Sequence, residues 1–166
     1  MNRFQSTHMV DVLFKALYFF LPAYVANTVP GILGDGRPID LGRNFTDGRR
    51  ILGNGVTVRG TLTGILGGTI TGFLQGTIFM GFVLGVGAMG GDMVGSFIKR
   101  RLGKPSGSPL FPLDQLNFVV GGLILAWLYV GFIRWDFVVV IVLLTPVGHL
   151  AVNKLGYHLN MKDVPW

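Results

Sequence analysis

The sequence contains no cysteine and few charged residues. Of its 166 residues only 13% are charged, where a soluble domain has roughly 25%, and half are hydrophobic. The missing cysteine excludes disulfides, thiolate zinc sites, iron–sulfur clusters and cysteine nucleophiles. Any metal must therefore bind through oxygen or histidine, and lipid is the expected solvent around most of the chain.

The hydrophobic residues come in long blocks, which predict an all-α integral membrane protein with five transmembrane helices in a single membrane domain, residues 1–166. The net charge of +6 does not indicate nucleic acid, because the basic residues lie where the hydrophobic blocks end. We place the spans at about 9–33, 60–79, 81–98, 118–133 and 137–152, with polar loops at 34–59 and 99–117.

The two central spans come from one long segment that carries a single charge, Asp92. As one helix, residues 60–98 would reach about 58 Å, nearly twice the roughly 30 Å hydrocarbon core, so we predict a hairpin with a tight turn between residues 79 and 81. Many of its glycines recur every four residues, which predicts close helix packing in lipid. These are Gly60, Gly64, Gly68, Gly72 and Gly76, then Gly87, Gly91 and Gly95.

The distribution of Lys and Arg predicts the orientation in the cell membrane. With five spans, eleven of the 14 Lys and Arg residues lie on the side of the two polar loops and the carboxyl terminus, and three lie on the other side. The positive-inside rule puts the first side in the cytoplasm, together with the active site. The amino terminus is then outside.

The strongest local signal is an acid near the end of the third predicted span. Asp92, Ser96, Lys99 and Arg100 are spaced so that they share one helix face. A carboxylate within a membrane segment is costly and indicates function. The alternative is a structural ion pair between Asp92 and one of these two cations.

A second acid, Asp114, follows Pro112 at the predicted start of the next span, with Asn117 one turn later. Its plain interpretation is a helix N-cap. Two acids from adjacent helix ends that face basic loops are also what a divalent ion and a polyphosphate require.

Two further sets of polar residues leave alternatives open. Asp47, Arg49, Thr57 and Arg59 precede the second span, where arginines either bind phosphate or only determine topology. In the last span, the polar stripe serves either helix packing or substrate contact. It consists of Thr145, His149 and Asn153.

Together these residues resemble the membrane cytidylyltransferases that form CDP-alcohols, and specifically the archaeal CDP-archaeol synthases, which are related to CDP-diacylglycerol synthases. The hallmark of that family is an acid, a serine and a Lys-Arg pair at a helix end, followed by a second acid. The resemblance extends over essentially the whole chain. It includes Leu21-Pro22-Ala23-Tyr24, Pro38-Ile39-Asp40, Asp47-Gly48-Arg49-Arg50, Thr145-Pro146 and Lys162-Asp163-Val164-Pro165-Trp166.

The resemblance implies a Mg²⁺-dependent enzyme that transfers the CMP moiety of CTP to an isoprenoid ether-lipid phosphate, unsaturated archaetidic acid. The products are CDP-archaeol and pyrophosphate. We assign Asp92 and Asp114 to Mg²⁺, and both of them, with Lys99, to catalysis. The expected substrate-binding residues are Asn27, Asp47, Arg49, Thr57, Arg59, Ser96, Arg100 and Asn117.

A small membrane transporter or channel is the main alternative, since kinked helices and intramembrane polar groups also mark transport paths. It predicts broken helices in two matching halves, whereas the sequence has no such internal repeat. A purely structural scaffold would leave Asp92 unexplained.

Overall fold

The computed structural model describes residues 3–158, except for the side chains of residues 3–7, 153 and 156. No strand occurs in this part of the chain beyond two isolated bridges, which confirms the all-α prediction. Its helices are α1 (Arg3–Thr28), α2 (Pro30–Leu33), α3 (Val58–Leu74), α4 (Ile78–Arg101), α5 (Leu113–Val130) and α6 (Trp135–His158).

Four stretches of described helix are long and apolar enough to cross a bilayer: His8–Leu33, Ile78–Arg101, Leu113–Val130 and Trp135–Val152. The first runs through Pro22 and continues into α2. The chain is therefore a multi-pass membrane protein. Helix α3 has 17 residues. At about 1.5 Å per residue it is roughly 25 Å long, slightly less than a hydrocarbon core.

The turn between α3 and α4 lies at residues 75–77, earlier than expected. Helix α3 ends at Leu74 rather than Phe79, and α4 begins at Ile78 rather than Gly81. The cause is Gly76, which adopts a left-handed φ of 75° and donates its N–H to the Phe73 carbonyl. The prediction that Gly76 continues the packing stripe is therefore wrong.

The other glycines of the stripe bring helix backbones into direct contact. A Cβ on Gly72 of α3 would lie 2.5 Å from the Gly81 Cα of α4, and one on Gly87 would lie 2.8 Å from the Gly122 Cα of α5. A Cβ on Gly91 would collide with the Asn117 carbonyl oxygen. Helix α4 thus lies between α3 and α5, so close to both that their backbones are in contact, as the glycine spacing predicted.

Helix α1 packs against α4, α5 and α6 through aromatic and small side chains. Phe20 is fully buried, and its ring lies 5.2 Å from Tyr24 and 6.5 Å from Phe118 of α5. The Tyr24 hydroxyl and Thr145 Oγ1 are 2.9 Å apart, which joins α1 to α6. A polar contact of this kind is a common link between helices in lipid.

The loop between α2 and α3 is organised by the buried carboxylate of Asp40. Arg50 donates to Oδ1 at 2.6 Å, and Leu52 and Gly53 each donate a backbone N–H to Oδ2 at 2.9 Å. Burial alone would raise the pKa of Asp40, but these hydrogen bonds outweigh it and hold the pKa well below its usual range. Sequence reasoning gave Asp40 no such role.

The same loop is fixed to the end of α4. Arg49 donates to the Arg101 carbonyl oxygen, and Arg101 Nε lies 3.1 Å from the Asp47 carboxylate. The Arg101 guanidinium also sits over the rings of Phe45 and Phe97, 4.9 and 4.7 Å from their centroids. These contacts keep the loop beside the helix end that carries the predicted acid and cations.

Candidate active site

A cavity of about 730 Å³ opens where α1, α4, α5 and α6 meet the loops. Seven of the eleven residues predicted from the sequence line it. They are Asn27, Asp92, Ser96, Lys99, Arg100, Asp114 and Asn117. Residues that are far apart in the sequence thus share one wall.

Asp92 is held by an amide from a different helix. Asn27 of α1 donates Nδ2 to Asp92 Oδ2 at 3.1 Å. Within the described residues Asp92 forms no ion pair, so the alternative of a structural pair with Lys99 or Arg100 is wrong. The carboxylate faces the cavity instead, where it can act on a ligand.

Lys99 pairs with the second acid. Its Nζ lies 2.7 Å from Asp114 Oδ1, and both side chains are less than a quarter exposed. Asp114 Oδ2 accepts the N–H of Leu110, so the carboxylate bonds back to the preceding segment. The N-cap position belongs to Pro112, which corrects the expectation that Asp114 is the cap.

Arg100 is a buried cation that pairs with no carboxylate among residues 3–158. Only 7% of the residue is exposed, its Nη2 donates to the Pro105 carbonyl at 2.9 Å, and its Nε has no partner among the described residues. A buried guanidinium without a counter-ion is costly. An anionic ligand such as phosphate would supply the missing partner.

Next to this cavity is a second, smaller one of about 460 Å³. The two share Arg100 and Ser106. Its basic residues are Arg49, Arg50, Arg100 and Lys104. A chain of phosphates that passed from the first cavity into the second would meet cations along its whole length.

Three predicted residues lie outside the first two cavities. Thr57 is the N-cap of α3, where its Oγ1 accepts the N–H of Gly60 at 2.9 Å. Asp47 pairs with Arg101, and Arg59 lines a third cavity. Arg59 and Arg100 were both expected to bind the substrate, but they line different cavities.

The first cavity also has an apolar lining, which was not predicted. It is formed by α1, α2 and α6 through Leu17, Ile32, Leu144, Val152 and Leu155. Apolar residues of a membrane helix give no sequence signal of which neighbours they face. This cavity is therefore lined both by charged side chains and by apolar ones that suit hydrocarbon.

The polar stripe of α6 takes part in helix packing and also lines the first cavity. Thr145 bonds Tyr24 and also lines the cavity. His149 lines the cavity and lies 6.3 Å from the Phe118 ring. The side chain of Asn153 lies outside the described residues.

The acids fit a cation that is shared with a phosphate ligand. Among the described residues there is no group of three His, Asp or Glu that could form a protein cage for a metal. Asp92 and Asp114 line the same cavity, and a carboxylate offers about four lone-pair sites, more than their hydrogen bonds occupy. Mg²⁺ typically takes one or two carboxylates plus substrate phosphates.

A family model described as CarS-like, CDP-archaeol synthase, matches residues 9–166. The chain belongs to this family. The CDP-archaeol synthase of Methanopyrus kandleri is 46% identical to it over 160 residues, which cover 92% of each chain. That of Methanocaldococcus jannaschii is 45% identical and covers 93% of this chain and 98% of its own.

One solved structure is also similar to this CDP-archaeol synthase family member. It is described as an intramembrane enzyme for archaeal membrane lipid biosynthesis. The match has a TM-score of 0.75 at 35% identity and covers 85% of this chain and 94% of the other. The resemblance inferred from the sequence is thus confirmed, and the transporter alternative has no support.

Proposed function

We propose that this chain transfers the CMP moiety of CTP to an isoprenoid ether-lipid phosphate, giving CDP-archaeol and pyrophosphate. The observation that carries the proposal is that the chain matches the CDP-archaeol synthase family from residue 9 to residue 166. The site is consistent with this reaction, since a soluble triphosphate and a lipid must meet in one place. Its cavity has a charged wall and an apolar wall.

In this reaction an oxygen of the lipid phosphate attacks the α-phosphorus of CTP. The new P–O bond forms while the bond to the β-phosphate breaks, and pyrophosphate leaves with that electron pair. The transfer needs positioning and charge stabilisation rather than a protein nucleophile, in agreement with a site without cysteine.

The acids and the cations of the site have separate roles in this proposal. Asp92 and Asp114 would hold Mg²⁺, which when bound neutralises charge on the phosphates. Asn27 keeps the Asp92 carboxylate oriented through its hydrogen bond. Arg100 binds the triphosphate, which takes the place of its missing counter-ion, and Lys99 binds the phosphate at the point of transfer.

The remaining polar and apolar residues position the substrates. Ser96 lies one turn from Asp92 and offers a hydroxyl to a phosphate oxygen. The second cavity receives the phosphates that leave as pyrophosphate, close to Arg49 and Lys104. The isoprenoid chains lie along the apolar wall between α1 and α6, where Leu17 and Leu144 face the cavity.

We further propose that α3 completes five spans and that both polar loops face the cytoplasm. The asymmetry of eleven Lys and Arg against three supports this orientation, as does the backbone contact of α3 with α4. Tags at the two termini should then report opposite sides of the membrane. Labelling of both tags from the same side would reject the span count.

A transfer assay tests the proposed reaction. Purified protein in detergent is incubated with labelled CTP, Mg²⁺ and the lipid phosphate, and label in the lipid product is measured. We expect Asp92→Asn to reduce transfer by roughly a hundredfold or more, because it keeps the shape but removes the charge that a hard cation requires.

Asp11→Asn is the matched control, since Asp11 is exposed near the other end of α1 and pairs with Lys15. This variant should retain full activity. Absence of label transfer with every divalent ion would contradict the proposed reaction. Wild-type turnover by a folded Asp92→Asn protein would contradict the metal assignment alone.

A further inference from the structure

A third cavity, of about 580 Å³, lies at the amino-terminal end of α3. It has no lining residue in common with the first or the second cavity. Its lining consists of Arg37, Leu41, Val58, Arg59, Leu62 and Thr63. It is thus a separate site that the proposed reaction does not use.

The third cavity contains two cations, Arg37 and Arg59. Neither Arg37 nor Arg59 donates a side-chain hydrogen bond or forms an ion pair within the described part of the chain. Both are exposed. Two arginines that line one cavity offer two cations to a phosphate, which a guanidinium can bind bidentately.

The remaining wall of the third cavity is mostly apolar and includes one residue with unusual backbone geometry. Leu41 adopts a positive φ of 50° although 57% of it is exposed. Left-handed backbone is uncommon for a leucine and costs energy. An apolar side chain held there beside Val58 and Leu62 indicates that the ligand has an apolar part as well as an anionic one.

An apolar stripe continues from this cavity along α3. Leu62, Leu66, Ile70 and Phe73 recur at helical spacing and are each more than half exposed. In a protein whose neighbouring helices cross a bilayer, such a stripe faces hydrocarbon. A ligand with its phosphate at Arg59 could therefore lay a chain on Leu62 and Leu66.

We propose that the third cavity binds one anionic phospholipid of the surrounding bilayer, with its phosphodiester between Arg37 and Arg59 and one chain along the stripe of α3. The occupant is a resident lipid rather than the lipid phosphate substrate, because the third cavity contains neither reaction acid and shares no residue with the cavity that does.

The bound lipid would also brace the loop that covers the reaction site. Val58 donates its N–H to the Arg37 carbonyl at 3.0 Å, and Ile39 donates to the Val56 carbonyl at 2.9 Å. These bonds tie the start of the loop to its end, and Asp40 follows directly. A phosphate that joins Arg37 to Arg59 strengthens the same connection.

Native mass spectrometry of the detergent-purified full chain tests this inference. The protein is titrated with an anionic dialkyl phosphodiester lipid, a zwitterionic lipid with the same chains, and a phosphomonoester lipid. We expect the wild type to bind one anionic phosphodiester lipid in preference to the zwitterionic one. Arg37→Gln with Arg59→Gln should weaken that binding at least about tenfold, the loss typical of a charge-assisted contact.

Arg43→Gln is the matched control, because Arg43 is an exposed arginine of the same loop that does not line the third cavity. It should change the affinity less than about twofold, since surface charges outside a site are screened. If the control lost as much lipid affinity as the double variant, the effect would come from general surface charge, and the proposal would be overturned.

Two other outcomes would overturn the proposal as well. Equal affinity for the zwitterionic lipid would show that the third cavity does not select an anionic lipid. Binding of the phosphomonoester lipid alone would make the third cavity a substrate site. The single variants Arg37→Gln and Arg59→Gln give the same comparison if the double variant does not fold. None of these readouts depends on CTP, so the proposed reaction is tested separately.

Discussion

Lys99 and Asp114 form an ion pair that joins the end of α4 to the start of α5, with Nζ 2.7 Å from Oδ1. Each member also has a role in the proposed reaction, one toward phosphate and the other toward the metal. Binding of the nucleotide and the cation must therefore give both groups new partners. Until then the ion pair holds the two side chains next to each other.

We predict that Lys99→Met and Asp114→Asn are strongly non-additive. Each single variant should lower kcat/KM at least about tenfold, because it leaves the other charge unpaired in a part-buried place. The double variant should lose less than the product of the two, by roughly 1–3 kcal/mol of coupling. Steady-state kinetics of the four proteins measures this, and strict additivity would mean that the pair is unimportant for turnover.

Arg100 and Arg59 should behave as independent residues, since they line different cavities. Arg100→Gln should raise the apparent KM for CTP roughly tenfold or more through loss of a charge-assisted phosphate contact. Adding Arg59→Gln should change this by a factor that matches its own single effect, within about 0.5 kcal/mol. A larger coupling would show that both arginines bind one ligand.

Gly91→Ala should destabilise the fold and slow turnover, because the new Cβ would collide with the Asn117 backbone carbonyl beside Asp92. We expect a loss of about 1–3 kcal/mol, typical of overpacking. Thermal unfolding in detergent and kcat measure the two effects.

Gly90→Ala is the control for this change, since a Cβ at Gly90 meets nothing within 4 Å. It should be neutral or slightly stabilising, because alanine favours helix over glycine by up to about 1 kcal/mol. Similar losses in both variants would mean that the close approach of α4 and α5 at Gly91 is not required.

Asp40→Asn should lower stability at neutral pH by about 2 kcal/mol or more, because the buried carboxylate accepts several charge-assisted hydrogen bonds. The folded pKa of Asp40 lies below its unfolded value, so its contribution is complete above that value and disappears as the pH falls toward the folded pKa. The gap between wild type and variant should therefore shrink below about pH 4.

Thermal unfolding of wild type and Asp40→Asn between pH 3 and pH 7 gives this profile. Asp35→Asn serves as the control, because Asp35 is an exposed acid of the same loop. It should leave stability nearly unchanged at each pH. A gap between Asp40→Asn and wild type that widens on acidification would contradict the sign derived for Asp40.

The sequence pointed to Asp92, which lines the first cavity, because a charge within an apolar helix is conspicuous. Asp92 was found in this way, but its partner Asn27 lies 65 residues away and no local pattern connects them. Arg59 was expected to bind the same substrate as Arg100 but lines a different cavity, since its position before α3 does not tell which cavity it faces. Asp40 was missed because a loop aspartate has no periodicity that marks burial.

The glycine spacing predicted the packing of the helices correctly, but it wrongly placed Gly76 in a helix rather than in the turn after α3. Glycine serves close packing and left-handed turns equally well, so Gly76 fitted the four-residue repeat although it ends the helix. The apolar wall of the reaction cavity could not be predicted for a related reason. Every apolar residue of a membrane helix fits both lipid and protein neighbours.

The backbone contacts of α4 restrict where this protein can change its choice of lipid. Any side chain added at Gly87 or Gly91 would push against a neighbouring backbone, so α4 cannot shift to admit a different lipid chain. Leu17 on α1 and Leu144 on α6 line the same cavity with side chains that can be enlarged or trimmed. Preference for chain length and saturation should therefore evolve, and be engineered, on α1 and α6 while the charged wall stays the same.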